Sequence, residues 1–376
     1  MITISGGALR DVLGGRTLTG DASTNTLNFQ GATADNLIGG RIAGTNAAGN
    51  AATNTVTVTS GTINNDVRGG EIVAPSATGN VSGNIVNING GTIGGTVTAG
   101  HNMGTGKADG NEIHITNGSI TGVVTGGHGT HAGEVSGNKV NVTNGTLSDN
   151  IIGGFAEDTG TASANEVTIT GGTIGGNRPD GTVRGNIYGG YAYGTNKTVE
   201  EGNMVNLGAD DGSYTADLTK ATIYGGASSA TGNTLNVKAN KPVEVRGVHN
   251  FENYKFWITK DTQVGDTMLK LTDHNGFDNL YSGTRRVNFS NVDVDLTNMS
   301  AKQIAGEITL IDGSHANALE FDNYNPRGTS APTASNGDYE YALRTDTDTY
   351  QGQKVLMEYN RYQNGVMAYL SLIHIS

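Results

Sequence analysis

The sequence lacks several residue types on which other protein classes depend. Its 376 residues contain no cysteine and only 5 prolines, which excludes a disulfide framework and a thiolate metal cage. No tyrosine or tryptophan occurs before position 181, although 14 tyrosines and one tryptophan follow. This shift in composition separates the first half of the chain from the rest.

Basic charge and long apolar runs are also scarce. The 23 lysines and arginines form no run, and the formal net charge is −12. Because phosphate contacts need clustered basic residues, we exclude nucleic acid as a partner. We predict no transmembrane segment, since no apolar stretch reaches about 18 residues. The start MITISGGALR has neither a basic nor an apolar leader region. Because Ile2 and Ile4 already occupy apolar positions of the repeat described below, we expect the chain to begin inside a coil of a longer protein.

Glycine is abundant, with 59 residues, but it has no three-residue period, which excludes collagen. Instead, an asparagine opens a segment that recurs at spacings of 29, 30, 27, 27, 27, 38 and 30 residues. In copies such as NEIHITNGSITGVVTGG, apolar residues alternate with small polar ones. This alternation predicts about three short strands per copy. The opening positions are Asn25, Asn54, Asn84, Asn111, Asn138, Asn165, Asn203 and Asn233.

One copy cannot fold alone. Four buried aliphatic side chains contribute about 6 to 12 kcal/mol, whereas ordering the backbone of one copy costs roughly 27 to 54 kcal/mol. Pairing with identical neighbours supplies the missing hydrogen bonds and core. The sequence therefore predicts an all-β fold, a parallel β-helix (β-solenoid) of about eight or nine coils.

Two kinds of repeated residue are expected to hold the coils together. The asparagine is predicted to form an internal amide ladder, in which each side chain hydrogen-bonds to its copies in adjacent coils. The glycine pair that closes each copy is predicted to form a sharp corner, where glycine tolerates φ > 0 and lets coils approach closely. The ladder positions are Asn54, Asn84, Asn111, Asn138, Asn165, Gly126, Gly127, Gly153 and Gly154.

The repeat weakens after VEV at residues 243–245. We expect residues 1–247 to form the regular coils. Residues 248–369 are expected to form a less regular β-structured continuation and cap, because an open solenoid end exposes unpaired edge groups. Residues 370–376, LSLIHIS, resemble a translated sequencing adapter and are expected to be a non-native tail.

The pattern GNxVxIxxGTIxxxVxGG, followed by FENYKFWI, GDTMLKL and IAGEITLIDG, resembles the passenger domains of bacterial autotransporters (type V secretion). The likeness extends over most of residues 1–370. It implies a right-handed parallel β-helix displayed at the cell surface, with a C-terminal outer-membrane barrel in the full-length protein. It also implies a non-catalytic structural or adhesive role without a cofactor. The expected partners are glycans or proteins on host or neighbouring cells.

The stretch AGHNMGTGKADGN at 99–111 has features of a phosphate-binding loop. However, His101 stands at the first glycine position of that motif and Ala108 replaces the hydroxyl that would bind Mg²⁺. A strand, not a helix, is predicted to follow. The stretch is better interpreted as the return of the chain to its next asparagine.

Three histidines are candidates for a metal site. His101 and His128 share one repeat position directly after the glycine pair, and His131 lies in the same loop as His128. Stacked imidazoles could share a metal ion, or resist double protonation at acid pH. Other copies carry different residues at this position, which favours an outward surface ladder over a metal site. They are Glu71, Phe155, Tyr191 and Ala227.

Catalysis on a polysaccharide is the alternative function. Lyases and glycosidases on β-helices need paired acids on consecutive coils, whereas Asp66, Asp149 and Glu157 occur at scattered positions. No G-x-S-x-G motif is present. Asp210 and Asp211 lack the spacing of known calcium loops. We therefore expect no enzyme activity.

Two insertions lengthen otherwise uniform coils, at residues 177–184 and 209–220. Loops on a rigid scaffold commonly carry binding residues, so recognition is expected there. A trimeric autotransporter adhesin is a further alternative. It is disfavoured because the coils of that class are shorter than these and its trimerising helices are not predicted here.

Overall fold

The computed structural model describes residues 1–131, 133–158, 160–177, 183–194 and 200–273, and the shorter segments 277–278, 286–297, 306–314, 319–322, 339–347, 351–352, 354–363 and 366–367. Over these ranges the fold is all-β, with one 3₁₀ turn at Phe289–Asn291. The chain forms a parallel β-solenoid of about 10 turns. The predicted fold class is confirmed, and its right-handed sense stays a prediction.

Each regular coil passes through four strand positions. In the coil that opens at Asn84, these are Ile85–Ile88, Thr92–Ile93, Val97–Asn102 and Ala108–Asp109. The chain then enters Glu112–Ile115, which pairs in parallel with the first strand of the previous coil. The fourth strand was not expected from the sequence, because two or three residues around one small apolar side chain give no visible alternation.

Equivalent strands stack into four parallel sheets, numbered here by their position in the coil. Sheet 1 comprises Ile2–Ile4, Thr26–Phe29, Thr55–Val58, Ile85–Ile88, Glu112–Ile115, Lys139–Val142, Glu166–Ile169, Met204–Leu207, Thr234–Val237, Asn253–Trp257 and Val292–Asp295. Sheet 2 comprises Ala32–Ala34, Gly61–Ile63, Thr92–Ile93, Ser119–Ile120, Thr146–Leu147 and Thr173–Ile174. Sheet 3 comprises Asp11–Thr17, Asn36–Ile42, Val67–Ile72, Val97–Asn102, Val124–Gly129, Ile151–Glu157, Ile187–Tyr193, Thr222–Tyr224, Gly247–His249 and Phe277–Asp278. Sheet 4 comprises Ala51–Ala52, Val81–Ser82, Ala108–Asp109, Glu134–Ser136 and Thr161–Ser163.

The pairing changes toward the C-terminal end of the described chain. Sheets 1 and 3 continue beyond residue 247, while a separate sheet begins with the parallel strands Val243–Val245, Thr267–Leu271 and Gly306–Asp312. Antiparallel strands then complete this sheet: Lys354–Gln363, Tyr339–Thr345 and Val366–Met367. A small sheet contains Arg286–Asn288, Leu319–Asp322 and Gln351–Gly352. The division at residue 247 stays a prediction, and the expected tail at 370–376 lies outside the described residues.

Because the register is the same from coil to coil, side chains at the same repeat position lie above one another. Val86 pairs with Ile113, and Ile113 pairs with Val140 in the next coil. All three are fully buried and belong to one hydrophobic core that extends from Val12 to Met357. The apolar repeat positions thus stack into continuous aliphatic columns inside the solenoid.

The asparagines form a buried amide ladder. The Nδ2 and the backbone N–H of Asn111 both donate to Oδ1 of Asn138, each at 3.0 Å. The second Nδ2 hydrogen of Asn111 donates to the carbonyl oxygen of Val81 at 3.0 Å. Every polar atom of the amide is thereby satisfied away from water, which avoids the cost of a buried unpaired group. The ladder runs through Asn25, Asn54, Asn84, Asn111, Asn138, Asn165, Asn203 and Asn233.

The glycine pairs are not corners, so that part of the prediction is wrong. Gly126 and Gly127 lie inside the strand Val124–Gly129, and neither has a positive φ. A Cβ on Gly127 would lie 2.5 Å from Cγ of Asn138. Gly153 and Gly154 occupy the same places in the next strand, Ile151–Glu157. Glycine is required because the asparagine ladder and the adjacent coil approach the backbone closely.

Candidate binding groove

The glycine pairs also shape the outer surface of sheet 3. A Cβ on Gly189 or Gly190 would meet the side chain of Asn203, so both glycines face inward and the usual alternation of a strand is interrupted. Tyr188 and Tyr191, which flank the pair, therefore both point outward and converge. Their rings meet edge to face, with centroids 5.0 Å apart.

Repetition of this geometry creates two outward rows along the solenoid. The floor row precedes the pair and consists of Arg68, Thr98, Thr125, Ile152 and Tyr188. The ring row follows the pair and consists of Glu71, His101, His128, Phe155 and Tyr191. Because the two rows converge, they form two sides of one concave surface.

The ring row is a continuous aromatic stack over three coils. His101 lies on His128 with ring centroids 4.7 Å apart, and His128 lies on Phe155 at 4.6 Å, both with planes 20° apart. Phe155 then meets Tyr191 edge to face at 5.3 Å. The stack continues in the floor row, where Tyr188 lies on Tyr224 at 4.7 Å.

A groove of about 480 Å³ lies between these rows. Its far side is a third row, which consists of Asp66, Thr96, Val123 and Asn150. The space exists because the floor row carries short side chains in three successive coils, at Thr98, Thr125 and Ile152. Longer side chains bound it: Arg68 lies beside Glu71 at one end, and Tyr188 packs on Tyr191 at the other. The groove is thus a trough that is bounded at each end by longer side chains.

Two hydroxyls at the floor have no partner. Thr98 and Thr125 are only 5% and 4% exposed, and both line the groove. Within the part of the chain that the structure describes, neither hydroxyl makes a hydrogen bond to another protein group. Neither oxygen is among the buried polar atoms without a partner, so both are accessible from the groove and can hydrogen-bond to whatever enters it.

The end at Arg68 is an ion cluster with balanced charge. Glu71 is 1% exposed and pairs with Arg68, with Nε of Arg41 at 3.3 Å, and with Nδ1 of His101 at 3.7 Å. Arg68 also pairs with Oδ2 of Asp66 at 2.8 Å. Burial alone would raise the pKa of Glu71, but His101 and the two arginines outweigh it and lower that pKa. Burial lowers the pKa of His101, which favours its neutral form.

The other histidines have separate partners. Nε2 of His128 lies 3.1 Å from Oε1 of Glu157, and this hydrogen bond lowers the pKa of Glu157. His131 does not join the stack, because its Nδ1 donates to the carbonyl oxygen of Met103 at 2.7 Å. In the described ranges, no three metal-ligating side chains converge. The structure therefore brings His101 and His128 together as stacked rings and places His131 elsewhere.

The insertion at residues 209–220 is not a free binding loop. Tyr214 and Leu218 of residues 209–220 are buried in the main core, and Asp217 forms a parallel bridge with Thr173. This segment therefore forms part of a coil wall. In the other insertion, Gly176–Asn177 pairs with Val183–Arg184, while residues 178–182 lie outside the described residues.

Comparison with protein-family models, with curated proteins and with solved structures finds no match to this chain. Among the described residues, no helix is long and apolar enough to cross a membrane.

Proposed function

We propose that the chain is a non-catalytic binding protein, an adhesive solenoid of the autotransporter-passenger type, displayed at a cell surface. Its recognition site is the trough on sheet 3. The observation that carries this proposal is the pair of hydroxyls of Thr98 and Thr125, which line the trough floor and make no hydrogen bond to another described protein group. A ligand in the trough can both donate hydrogen bonds to these hydroxyls and accept hydrogen bonds from them.

The scaffold suits rigid recognition. The floor and ring residues lie on strands that pair with a neighbouring strand on each side. Thr125, for example, is in register with Thr98 in the preceding coil and with Ile152 in the following coil. Binding to such a surface requires little ordering of the protein, so less of the interaction free energy is lost. The insertions are weaker candidates, because residues 209–220 are largely committed to the core.

The acids around the trough favour binding over catalysis. A glycosidase needs a carboxylic acid whose pKa is raised so that it can donate a proton. Here the pKa values of both Glu71 and Glu157 are lowered by their partners. Asp66 accepts hydrogen bonds from Thr96 and pairs with Arg68. A carbohydrate-active enzyme remains the alternative, and product formation would support it.

The test is binding of fluorescently labelled protein to intact epithelial and bacterial cells, measured by flow cytometry. Ile152→Trp would fill the trough, whereas Thr57→Trp places the same side chain on the outer face of sheet 1. We expect the wild-type protein and Thr57→Trp to bind and Ile152→Trp to lose binding. Equal binding by all three proteins would contradict a role for the trough. Surface display is tested separately by the neighbouring coding sequence, where the absence of a barrel region would contradict it.

A further inference from the structure

The trough has the size of a site for a short ligand. It extends over three coils, which corresponds to about 14 Å at an inter-strand spacing of ~4.8 Å. Its volume of about 480 Å³ lies within the usual range of small-molecule sites. Arg68 at one end, and Tyr188 with Tyr191 at the other, bound the run of short side chains on the floor, so the groove is short. A short oligomer, or the end of a longer one, fits.

The charges at the trough favour a neutral ligand. Arg41 and Arg68 are matched by Glu71 and Asp66, so neither guanidinium is left to neutralise a phosphate or carboxylate. The neutral form of His101 is favoured by burial. An anionic ligand would have to compete with these ion pairs for the arginines, and it would leave the buried carboxylate of Glu71 with fewer partners, which is unfavourable.

The lining presents hydroxyls and aromatic rings together. Thr98 and Thr125 can each donate and accept one or more hydrogen bonds. At one end of the trough, Tyr188 stacks on Tyr224, and the rings of Tyr188 and Tyr191 line the groove. A ligand suited to this lining carries many hydroxyls and also has apolar C–H faces that can lie on a ring.

A peptide fits this surface less well. Extended peptides gain affinity when their backbone pairs with a free strand edge. The strands Val97–Asn102, Val124–Gly129 and Ile151–Glu157 are each paired on both sides within sheet 3. No free edge faces the trough in these coils, and the N–H and C=O groups of a bound peptide would lack regular partners.

We infer that the trough binds a neutral oligosaccharide of two or three sugar units, or the neutral end of a longer glycan. This inference rests on the proposed binding function and specifies its ligand class. The hydroxyls of Thr98 and Thr125 hydrogen-bond to sugar hydroxyls, and the aromatic end formed by Tyr188 and Tyr191 receives the C–H face of the terminal sugar. The ion cluster at Arg68 bounds the other end.

The experiment is calorimetric titration of the purified protein with cellotriose, maltotriose, chitotriose and trigalacturonic acid, together with a printed array of neutral and acidic glycans. We expect binding of at least one neutral glycan and none of trigalacturonic acid. Thr125→Val, which removes one hydroxyl at constant shape, should weaken binding about tenfold. Ile152→Trp should abolish it. Thr57→Val, on the outer face of sheet 1, should leave it unchanged. Circular dichroism and thermal unfolding establish that the variants are folded.

Three results would overturn the inference: preferential binding of acidic glycans, binding of peptides from a matched peptide array but of no glycan, or neutral-glycan binding that Ile152→Trp does not reduce. Failure of this inference can be distinguished experimentally from failure of the proposed binding function. Trough-dependent attachment to cells without neutral-glycan binding would reject the ligand class and leave the binding function standing. Cell attachment that is independent of the trough would reject the trough as the recognition site.

Discussion

Tyr188 and Tyr191 lie three residues apart on one strand, yet their rings touch edge to face with centroids 5.0 Å apart. In a regular strand, residues three apart point to opposite sides of the sheet. They converge here because Gly189 and Gly190 both face the side chain of Asn203. The same backbone feature that admits the asparagine ladder inside the solenoid therefore creates the trough outside it.

The asparagine ladder is expected to contribute strongly to the free energy of unfolding. Asn138→Ala removes the acceptor for two donors of Asn111 and the donor for Ala108 and Asn165. Since each unsatisfied buried group costs about 1 to 3 kcal/mol, we expect a loss of at least about 3 kcal/mol in the free energy of unfolding, measured by urea denaturation. Asn141→Ala, on the partly exposed face of sheet 1, is the control and should change it by less than about 0.5 kcal/mol. Equal effects would contradict the ladder.

The second glycine of each pair is expected to tolerate no side chain. A Cβ on Gly127 would lie 2.5 Å from both Cγ and Nδ2 of Asn138, so Gly127→Ala must displace the ladder. We expect a clear drop in the thermal unfolding midpoint and faster hydrogen exchange in the coils around Asn138. Gly20→Ala is the matched control, because a Cβ on Gly20 would lie 3.7 Å from its nearest neighbour, Oγ1 of Thr17, which is an ordinary van der Waals distance. A Gly127→Ala protein as stable as the Gly20→Ala protein would refute this packing.

The sequence predicted the solenoid because its repeat positions stack. Apolar residues at constant distances from each asparagine fall on the same column, as Val86, Ile113 and Val140 do. The stack of His101 on His128 follows from the same logic, since both occupy one repeat position.

The trough could not be derived in this way. Regular strand alternation would place Thr125 and His128 on opposite faces of the sheet. They share the outer face only because Gly126 and Gly127 both face inward. The floor row also varies in residue type from Arg68 to Tyr188, so it has no repeating signature. The insertion at 209–220 did contain a signal, because Tyr214 and Leu218 are apolar residues within a polar segment, and they are buried.

Acid should destabilise the coils around His101. Burial lowers the pKa of this imidazole, so between its folded and unfolded pKa values the unfolded chain binds more protons. The free energy of unfolding therefore falls as the pH drops below about 6.5, the ordinary value for histidine. The groups that face His101 are Glu71, Arg68 and His128.

The variant His101→Phe tests this dependence. Phenylalanine occupies the same row at Phe155 and stacks on His128, but it cannot be protonated. We expect the thermal midpoint of the wild-type protein to fall more steeply than that of the variant between pH about 7 and about 5. Parallel curves would show that His101 is not the group responsible.

The insertion at residues 209–220 is expected to behave as core. Leu218 is fully buried in the main hydrophobic cluster, so Leu218→Ala should lower the free energy of unfolding by about 2 to 5 kcal/mol. Lys220→Ala, at an exposed position two residues on, should change it by less than about 0.5 kcal/mol. If both variants unfold like the wild-type protein in urea, the segment is a projecting loop after all.

The most direct test of the trough is a histidine-resolved NMR titration of the full chain with the neutral glycan that binds best. His101 and His128 line the trough, whereas His114 lies on the outer face of sheet 1. We predict that the ring resonances of His101 and His128 shift in a saturable manner while those of His114 and His131 stay in place. Saturable shifts at His114 or His131 without shifts at His101 and His128, or no shift at any histidine, would contradict ligand binding in the trough.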